Sequence, residues 1–391
     1  MSGTRSPGGP PRNTPERGTS RSGETTSRSP GPGSSTGTIR SGRSPRTHPS
    51  LLDLTARLTA RDLVLARLLA EHKVLTHAQI TQVLFTAPGT AANRLARLRR
   101  WGVLDRFTPP RSVIDTLPEP RGHTCWILGV LGARYVALSD AQRPPTAHAV
   151  RERQDAIAAS THLGHTLGVN QVFVDLLAHT RTHPDTHLAR WWASARISAA
   201  LGRRVCPDAH GIWSEGDRQV AWLLEYDTGS EALAHLAAKI VAYRRLRTDG
   251  GPAWPVLFHL PGPVREQNLH RHLAAAAPWG SPASPGTGLG RGIGLGAEVV
   301  VATTTRERHQ QIGPAAPLWR LVGDPDPPRR MIDLPCAPGR PGPYHPGPPT
   351  PHEDPLHLQH PGEAALGAHR GADGGDAASA QAGGWHRDPD P

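Results

Sequence analysis

Two acidic residues stand where short apolar segments give way to turns. Asp208 follows Pro207 in "CPDAHGIW", and Glu225 closes the apolar run of "RQVAWLLEYD", with Asp227 two residues further on. Two carboxylates brought together at the ends of neighbouring extended segments are hard oxygen donors of one sign. In an otherwise basic chain such a pair calls for a cation. Mg2+ is the ion that takes one or two carboxylates and keeps several waters. Held by Asp208, Glu225 and a carbonyl such as that of Tyr226, it would polarise a phosphodiester and lower the pKa of an attacking water. Asp227 is the candidate third ligand. An amine that stabilises developing negative charge completes such chemistry. No lysine stands two residues after Glu225, because Asp227 is there, and the candidate amine is Lys239. The expected catalytic group is therefore Asp208, Glu225 and Lys239, and the expected Mg2+ ligands are Asp208, Glu225 and Asp227.

Lys239 is informative because lysine is scarce. Of 44 basic residues only two, Lys73 and Lys239, are lysines. Abundant Arg, Ala, Gly and Pro mark a GC-rich genome, in which lysine drifts to arginine wherever the two exchange freely. They do not exchange at a tight site. Lys239 lies three residues after Leu236 and four before Tyr243, flanking the apolar stripe of its helix. Thr228 and Glu231 match the capping box T-x-x-E and are assigned to a helix start. The histidines are read as ordinary. His162 and His165 share a helix, while His179, His183 and His187 are interrupted by Pro184, and neither group has matching ligands at metal-site spacing. "HRH" at 270–272 carries arginine in its centre. Among the tyrosines, Tyr243 is the candidate for a nucleophile.

These residues need a scaffold. "HAVRERQDAIAASTHLGHTLGVNQVFVDLLAHT" reads as largely helical, "ARWWASARIS" as a strand, "RRVCPDAHGIWSEG" as a second and "RQVAWLLEYD" as a third. In the third, Ala221, Leu223, Glu225 and Asp227 share one face, and Val220, Trp222, Leu224 and Tyr226 the other. A helix over "TGSEALAHLAAKIVAYRRL", a strand over "AWPVLFHL", a helix over "PVREQNLHRHLAAA" and a strand over "GAEVVVATTTRER" follow. The order αβββαβ resembles the core of the restriction-endonuclease-like fold. Its second strand carries Asp and its third Glu or Asp, followed two residues later by Lys. That likeness implies roles for Asp208 and Glu225, with Lys239 out of register.

Upstream, "LTARDLVLARLLAEHKVLTHAQITQVLF" reads as two helices capped by Thr59 and Thr76, with Leu63, Leu65, Leu68 and Leu69 at roughly helical spacing in the first and Ile80, Val83 and Leu84 inward in the second. "PGTAANRLARLRRWGVLDRF" gives a third, ended by Gly102. Leu95 and Leu98 share its inner face. Asn93, Arg97 and Arg100 fall on the opposite face with Arg94 beside them. Short extended pieces, "VLDRF" and "HTCWIL", come next. Three helices and a ribbon are the pattern of a winged helix-turn-helix. Its third helix enters the major groove of double-stranded DNA, where Arg94, Arg97 and Arg100 would meet phosphates or guanines and Asn93 an adenine.

The whole chain of 391 residues has a formal charge of +11 and a pI near 10.7, which points to a polyanionic partner. No apolar run of about 18 residues marks a membrane span, and no apolar leader marks secretion. Three scattered cysteines support neither a zinc knuckle nor a disulfide framework. A cytoplasmic protein, associated with nucleoid or plasmid, is expected. Residues 1–50 read as a disordered basic arm and 337–391 as a disordered Pro/Gly-rich tail. Between them lie a winged-helix domain at 51–140 and a nuclease-like domain at 148–336, joined by "LSDAQRPPTAHAV". The fold class is α/β, in the α+β sense.

Several stretches together resemble the actinobacterial replication-relaxation family: "LTHAQITQVLF…AANRLARLRRWGVLDRF", "HLGHTLGVNQVFVDLL", "CPDAHGIW", "LLEYDTGSEALAHLAAKIVAYRRL" and "VATTT…GPAAPLWRLV". The resemblance covers about residues 55–335. It implies a DNA-binding protein involved in plasmid replication and DNA relaxation, and transfers no catalytic residue. Three readings follow: a metal-dependent nuclease-like protein, a non-catalytic DNA-binding replication or transcription regulator, and a tyrosine-type nicking relaxase.

Overall fold

A computed structural model of the chain describes residues 50–114, 124–276, 299–337 and 342–356, all within the compact unit that begins at His48. The expected basic arm, and the tail from 357 onward, lie outside the described residues.

The mixed α/β fold begins with α1 (Leu51–Thr55) and α2 (Ala60–His72). Asp62, three residues after Thr59, accepts its amide and hydroxyl and fixes the start of α2. A two-residue strand, β1 (Leu75–Thr76), leads into α3 (His77–Leu84), where Thr76 and Gln79 form a reciprocal capping box. Then come α4 (Pro88–Arg100), β2 (Leu104–Phe107), α5 (Arg111–Ile114) and β3 (Cys125–Leu128). Gly102, at φ 76°, turns the chain out of α4. The first sheet has the order β1-β3-β2, all antiparallel. Strand β1 escapes a pattern-based reading, since two residues carry no periodicity.

Helices α6 (Val130–Ser139) and α7 (Ala147–Ala158) flank the polar connection expected near 140–148, and α8 (Leu163–Thr180) follows. The second sheet contains β4 (Thr186–Ala193), β5 (Ala209–Glu215), β6 (Arg218–Tyr226), β7 (Val256–Leu260), β8 (Val301–Thr305) and β9 (Arg320–Leu321), in that spatial order. The pairs β4–β5 and β5–β6 are antiparallel, β6–β7 and β7–β8 parallel. Helix α9 (Ser194–Ala200) separates β4 from β5, α10 (Leu233–Thr248) joins β6 to β7, α11 (Pro263–Ala276) follows β7, and α12 (Arg306–Ile312) follows β8. The strand expected over "ARWWASARIS" thus stops at Ala193. Its second half is helical because Ile197 and Leu201, four residues apart, both turn into the core.

The alternation read in β6 holds on both faces. Val220, Trp222 and Leu224 pack in one apolar layer with Phe173 of α8. Leu223 packs in the other with Leu236, Ile240 and Tyr243 of α10. The first layer continues without a break to Leu65, Ile80 and Leu95, so the N-terminal helices and the large sheet share one core across the expected boundary. Gln79 pins them further, donating to the Leu167 carbonyl at 2.9 Å.

The expected start of the C-terminal tail, at 337, needs correcting for the described residues 342–356. Residues 342–356 pack on β4, where the fully buried Arg190 donates to Glu353 Oε2 at 3.0 Å and to the Gly347 carbonyl at 3.1 Å. A buried guanidinium must find acceptors, and β4 supplies none, so this segment is held to the body.

Candidate functional site

Asp208 sits at the mouth of β5, immediately before its first residue. Its amide donates to the Leu224 carbonyl at 2.9 Å, continuing the pairing with β6. Its side chain is anchored twice through Oδ2: the Tyr226 amide donates at 2.7 Å, and His165 Nε2 of α8 lies 3.2 Å away. Glu225, near the end of β6, points to the face covered by α10. There Tyr243 donates its hydroxyl to Oε1, and Lys239 Nζ donates to Oε2 at 2.9 Å. Lys239 and Tyr243 are four residues apart, so one helical stripe delivers both to the same carboxylate. The structure therefore brings Asp208, Glu225 and Lys239 to one end of the sheet, and all three line a single cleft of about 890 Å³.

The electrostatics follow from this placement. Glu225 is 2 % exposed. Burial, and next the charge of Asp208, push its pKa up from 4.5 to about 7, against the pull of Lys239 and Tyr243. Burial works against the Lys239 ammonium, but the Glu225 carboxylate outweighs it and the net shift is upward. Burial likewise lowers His165, while the hydrogen bond and charge of Asp208 raise it, with a net upward result. Tyr243 is driven well above its ordinary range by burial and by Glu225. A buried phenol committed as a donor to a carboxylate is a poor nucleophile, so the nicking role considered for Tyr243 has no support in its surroundings.

Three sequence expectations are corrected. Asp227 is no third ligand. Its carboxylate takes Arg265 Nε at 2.7 Å and the Gly229 amide at 2.8 Å, a buried ion pair tying the end of β6 to α11. Among the described residues, no three of His, Cys, Asp and Glu gather as a ligand set. Thr228 and Glu231 do not cap α10, which starts at Leu233. Thr228 instead bonds Ser230, and Glu231 reaches Lys239 Nζ at 3.2 Å. Arg94 is not a free contact on α4. It is paired with the buried Asp62 through Nε at 2.9 Å and lies over the Trp101 ring. Asn93, Arg97 and Arg100 are exposed on the outer face of α4, as their spacing required.

Two further groups escaped the sequence reading. His165, taken as an ordinary helix histidine, is the partner of Asp208. His259 in β7 lies with Nε2 3.0 Å from His309 Nδ1, and His309 Nε2 is 3.3 Å from Asp175 Oδ2. His259 stacks on Tyr226 at 5.1 Å. Burial, then the charges of His309 and Arg306, hold it well below the usual histidine range. His259 occupies an apolar strand position, and only the arrival of α8 and α12 reveals its partners. The signal that was available was the scarcity of lysine: Lys73 lines the same cleft as Lys239.

No helix among the described residues is long and apolar enough to cross a membrane. The family model described as replication-relaxation matches residues 67–258. That span runs from α2 into β7 and includes Lys73, the outer face of α4, Asp208, Glu225 and Lys239. No curated protein and no solved structure is matched.

Proposed function

The chain belongs to the replication-relaxation family, and on that premise we propose that it is a plasmid DNA-binding protein of replication and relaxation whose cleft acts as a Mg2+-dependent, nuclease-like nicking site. One observation carries the proposal. Lys239 reaches Glu225 at 2.9 Å from the adjoining helix, in the cleft that Asp208 enters from the neighbouring strand. An amine and two acids from three separate elements converge there, although the lysine is out of register in sequence.

The donor set fits a hard divalent cation. Asp208 and Glu225 supply oxygens; burial, and next the charge of Asp208, make the ionised form of Glu225 costly, and a bound cation would offset that cost. Bound there, such an ion would polarise the scissile phosphate and activate water. The chain's own residues do the rest. His165 and the Tyr226 amide hold the Asp208 carboxylate in one orientation. Tyr243 fixes Glu225 through its second oxygen. Lys239, anchored by Glu225 and Glu231, holds a positive charge beside the position where negative charge grows on the phosphate.

Docking fits the N-terminal elements. The succession α2–β1–α3–α4–β2–α5–β3, with β3 between β1 and β2, supports a winged helix, and the mixed sheet with its flanking helices supports the nuclease-like comparison. On this reading Arg97, Arg100 and Asn93 of α4 face duplex DNA, and the protein works in the cytoplasm on plasmid.

Supercoiled plasmid incubated with the protein and Mg2+ or Mn2+ tests this directly. Conversion to open circles, absent in EDTA and lost in Asp208→Ala while DNA binding persists, is the expected result. Tight binding with no metal-dependent nicking would instead make the protein a non-catalytic replication or transcription regulator.

A further inference from the structure

A second part of the cleft wall is built with unusual care. Helix α2 ends at His72, and the next residue, Lys73, has φ 71° and ψ −51°. The Val74 amide donates to the His72 carbonyl at 2.8 Å. Those dihedrals with that bond define a γ-turn of the rare, strained kind. A residue with a Cβ is disfavoured there, and glycine would remove the strain. The turn persists because its surroundings dictate it. Asn170 of α8, itself buried, donates its side-chain amide to the Val74 carbonyl at 2.9 Å and to the His72 carbonyl at 3.3 Å.

The residue occupying this strained position is one of only two lysines among 44 basic residues, and both line the same cleft. Among the described residues nothing engages the Lys73 ammonium, and Lys73 is exposed. The cleft wall carries six carboxylates, of Glu71, Asp175, Asp208, Glu225, Asp227 and Glu231, against the cations of Lys73, Lys239 and Arg306. A nucleic-acid backbone approaching that wall meets like charge, so it needs a fixed cation wherever a phosphate comes to rest. Lysine suits the task, being a compact point charge on a long stem that binds phosphate without demanding a planar fork.

We infer that Lys73 is a phosphate-binding residue of the cleft, held in its γ-turn by Asn170 so that its ammonium receives a backbone phosphate of DNA whose scissile phosphodiester lies at Asp208, Glu225 and Lys239. The inference rests on the DNA-directed reading of this cleft and extends it to a second contact on the same strand.

The test uses the full chain, a fluorescently labelled duplex and EDTA buffer, with affinity measured across a salt series and thermal melting alongside. Lys73→Gly is expected to melt higher than the parent, since it relieves the turn. It is also expected to bind the duplex several-fold more weakly, with the slope of log K against log salt reduced by about 0.9, the value for one phosphate contact. Lys73→Arg, which keeps the charge, should retain the slope. Should Lys73→Gly melt lower, Lys73→Asn carries the same comparison, because asparagine tolerates positive φ. A glycine or asparagine variant with the parental affinity and salt slope overturns the inference. If the parent still binds duplex and nicks plasmid, that failure touches Lys73 alone. A parent that binds no DNA overturns both readings.

Discussion

Glu225 offers the sharpest quantitative test, because its surroundings make stability depend on pH in an unusual direction. Its folded pKa is raised from 4.5 to about 7. Between those values the folded chain binds a proton that the unfolded chain has lost, so stability falls as pH rises. The contribution is fully present below 4.5 and is lost as pH climbs through 7. At roughly 1.4 kcal/mol per pKa unit, the change between pH 5 and pH 8 comes to about 2–3 kcal/mol. Glu225→Gln keeps the shape and one of the two acceptor oxygens that Tyr243 and Lys239 use, and cannot titrate. Chemical denaturation of parent and variant in EDTA, at pH 5 through 8, isolates the effect, because the other titrating groups cancel in the difference. The variant should gain on the parent by about 2–3 kcal/mol across that range. At pH 8, Mg2+ should stabilise the parent more than the variant, since only the parent offers the second carboxylate. A difference that stays flat with pH would mean that Lys239 and Tyr243 keep Glu225 ionised throughout, and would refute the reasoning that burial and Asp208 raise its pKa.

Three further predictions concern α4 and the packing around Tyr226. Arg97→Ala with Arg100→Ala should weaken duplex binding and lower its salt slope by about 1.8 for two phosphate contacts. Arg94→Ala should instead cost about 3 kcal/mol of stability in denaturant titration, because it strands the buried Asp62 carboxylate. Equal stability losses in both variants would contradict the division of α4 into an inner and an outer set of arginines. Gly168→Ala would set a Cβ 2.3 Å from the Tyr226 ring. It should cost about 1–3 kcal/mol by overpacking and, by shifting Tyr226, slow plasmid nicking; parental stability and nicking would show that the contact is loose.

The parts of the molecule legible from sequence are those where one local rule acts alone. The two faces of β6 follow from a period of two, and the stripe Leu236, Ile240, Tyr243 from a period of 3.6. Thr76 with Gln79 announces the start of α3 through its capping box. Where two rules competed, the sequence misled. Thr228 and Glu231 satisfy the capping pattern, yet the loop they occupy is governed by Arg265, which bonds both the Asp227 carboxylate and the Glu231 carbonyl. Arg94 has the spacing of its exposed neighbours but one turn of geometry carries it to Asp62. Arg190 looks like a surface arginine on a strand until Glu353, 163 residues away, supplies its acceptor. Contacts of that range leave no periodic trace. The same holds for His165 and His259, whose roles depend on α8 and α12 arriving at the sheet end.

The position of the lysine itself has a physical explanation in these contacts. The residue two places after Glu225 is Asp227, and it serves as the buried anchor of the loop: Arg265 grips its carboxylate, and Arg306 donates to its carbonyl at 3.2 Å. An amine at that position would face two guanidinium groups, a like-charge arrangement that burial makes costly. The cation has to come from elsewhere, and α10 is the element already packed over the carboxylate face of β6. One turn along it, Tyr243 fixes Glu225, so the helical repeat carries Lys239 to the same side chain. With Asp227 committed to the loop, Glu231 is drawn to within 3.2 Å of Lys239 and helps to hold the ammonium in place. On the nuclease-like reading, aspartate at 227 and lysine at 239 then belong to one arrangement. Asp227→Lys should fail to restore the usual register and should instead unfold the loop, lowering the melting temperature even when combined with Lys239→Ala; a stable, active double variant would refute the coupling.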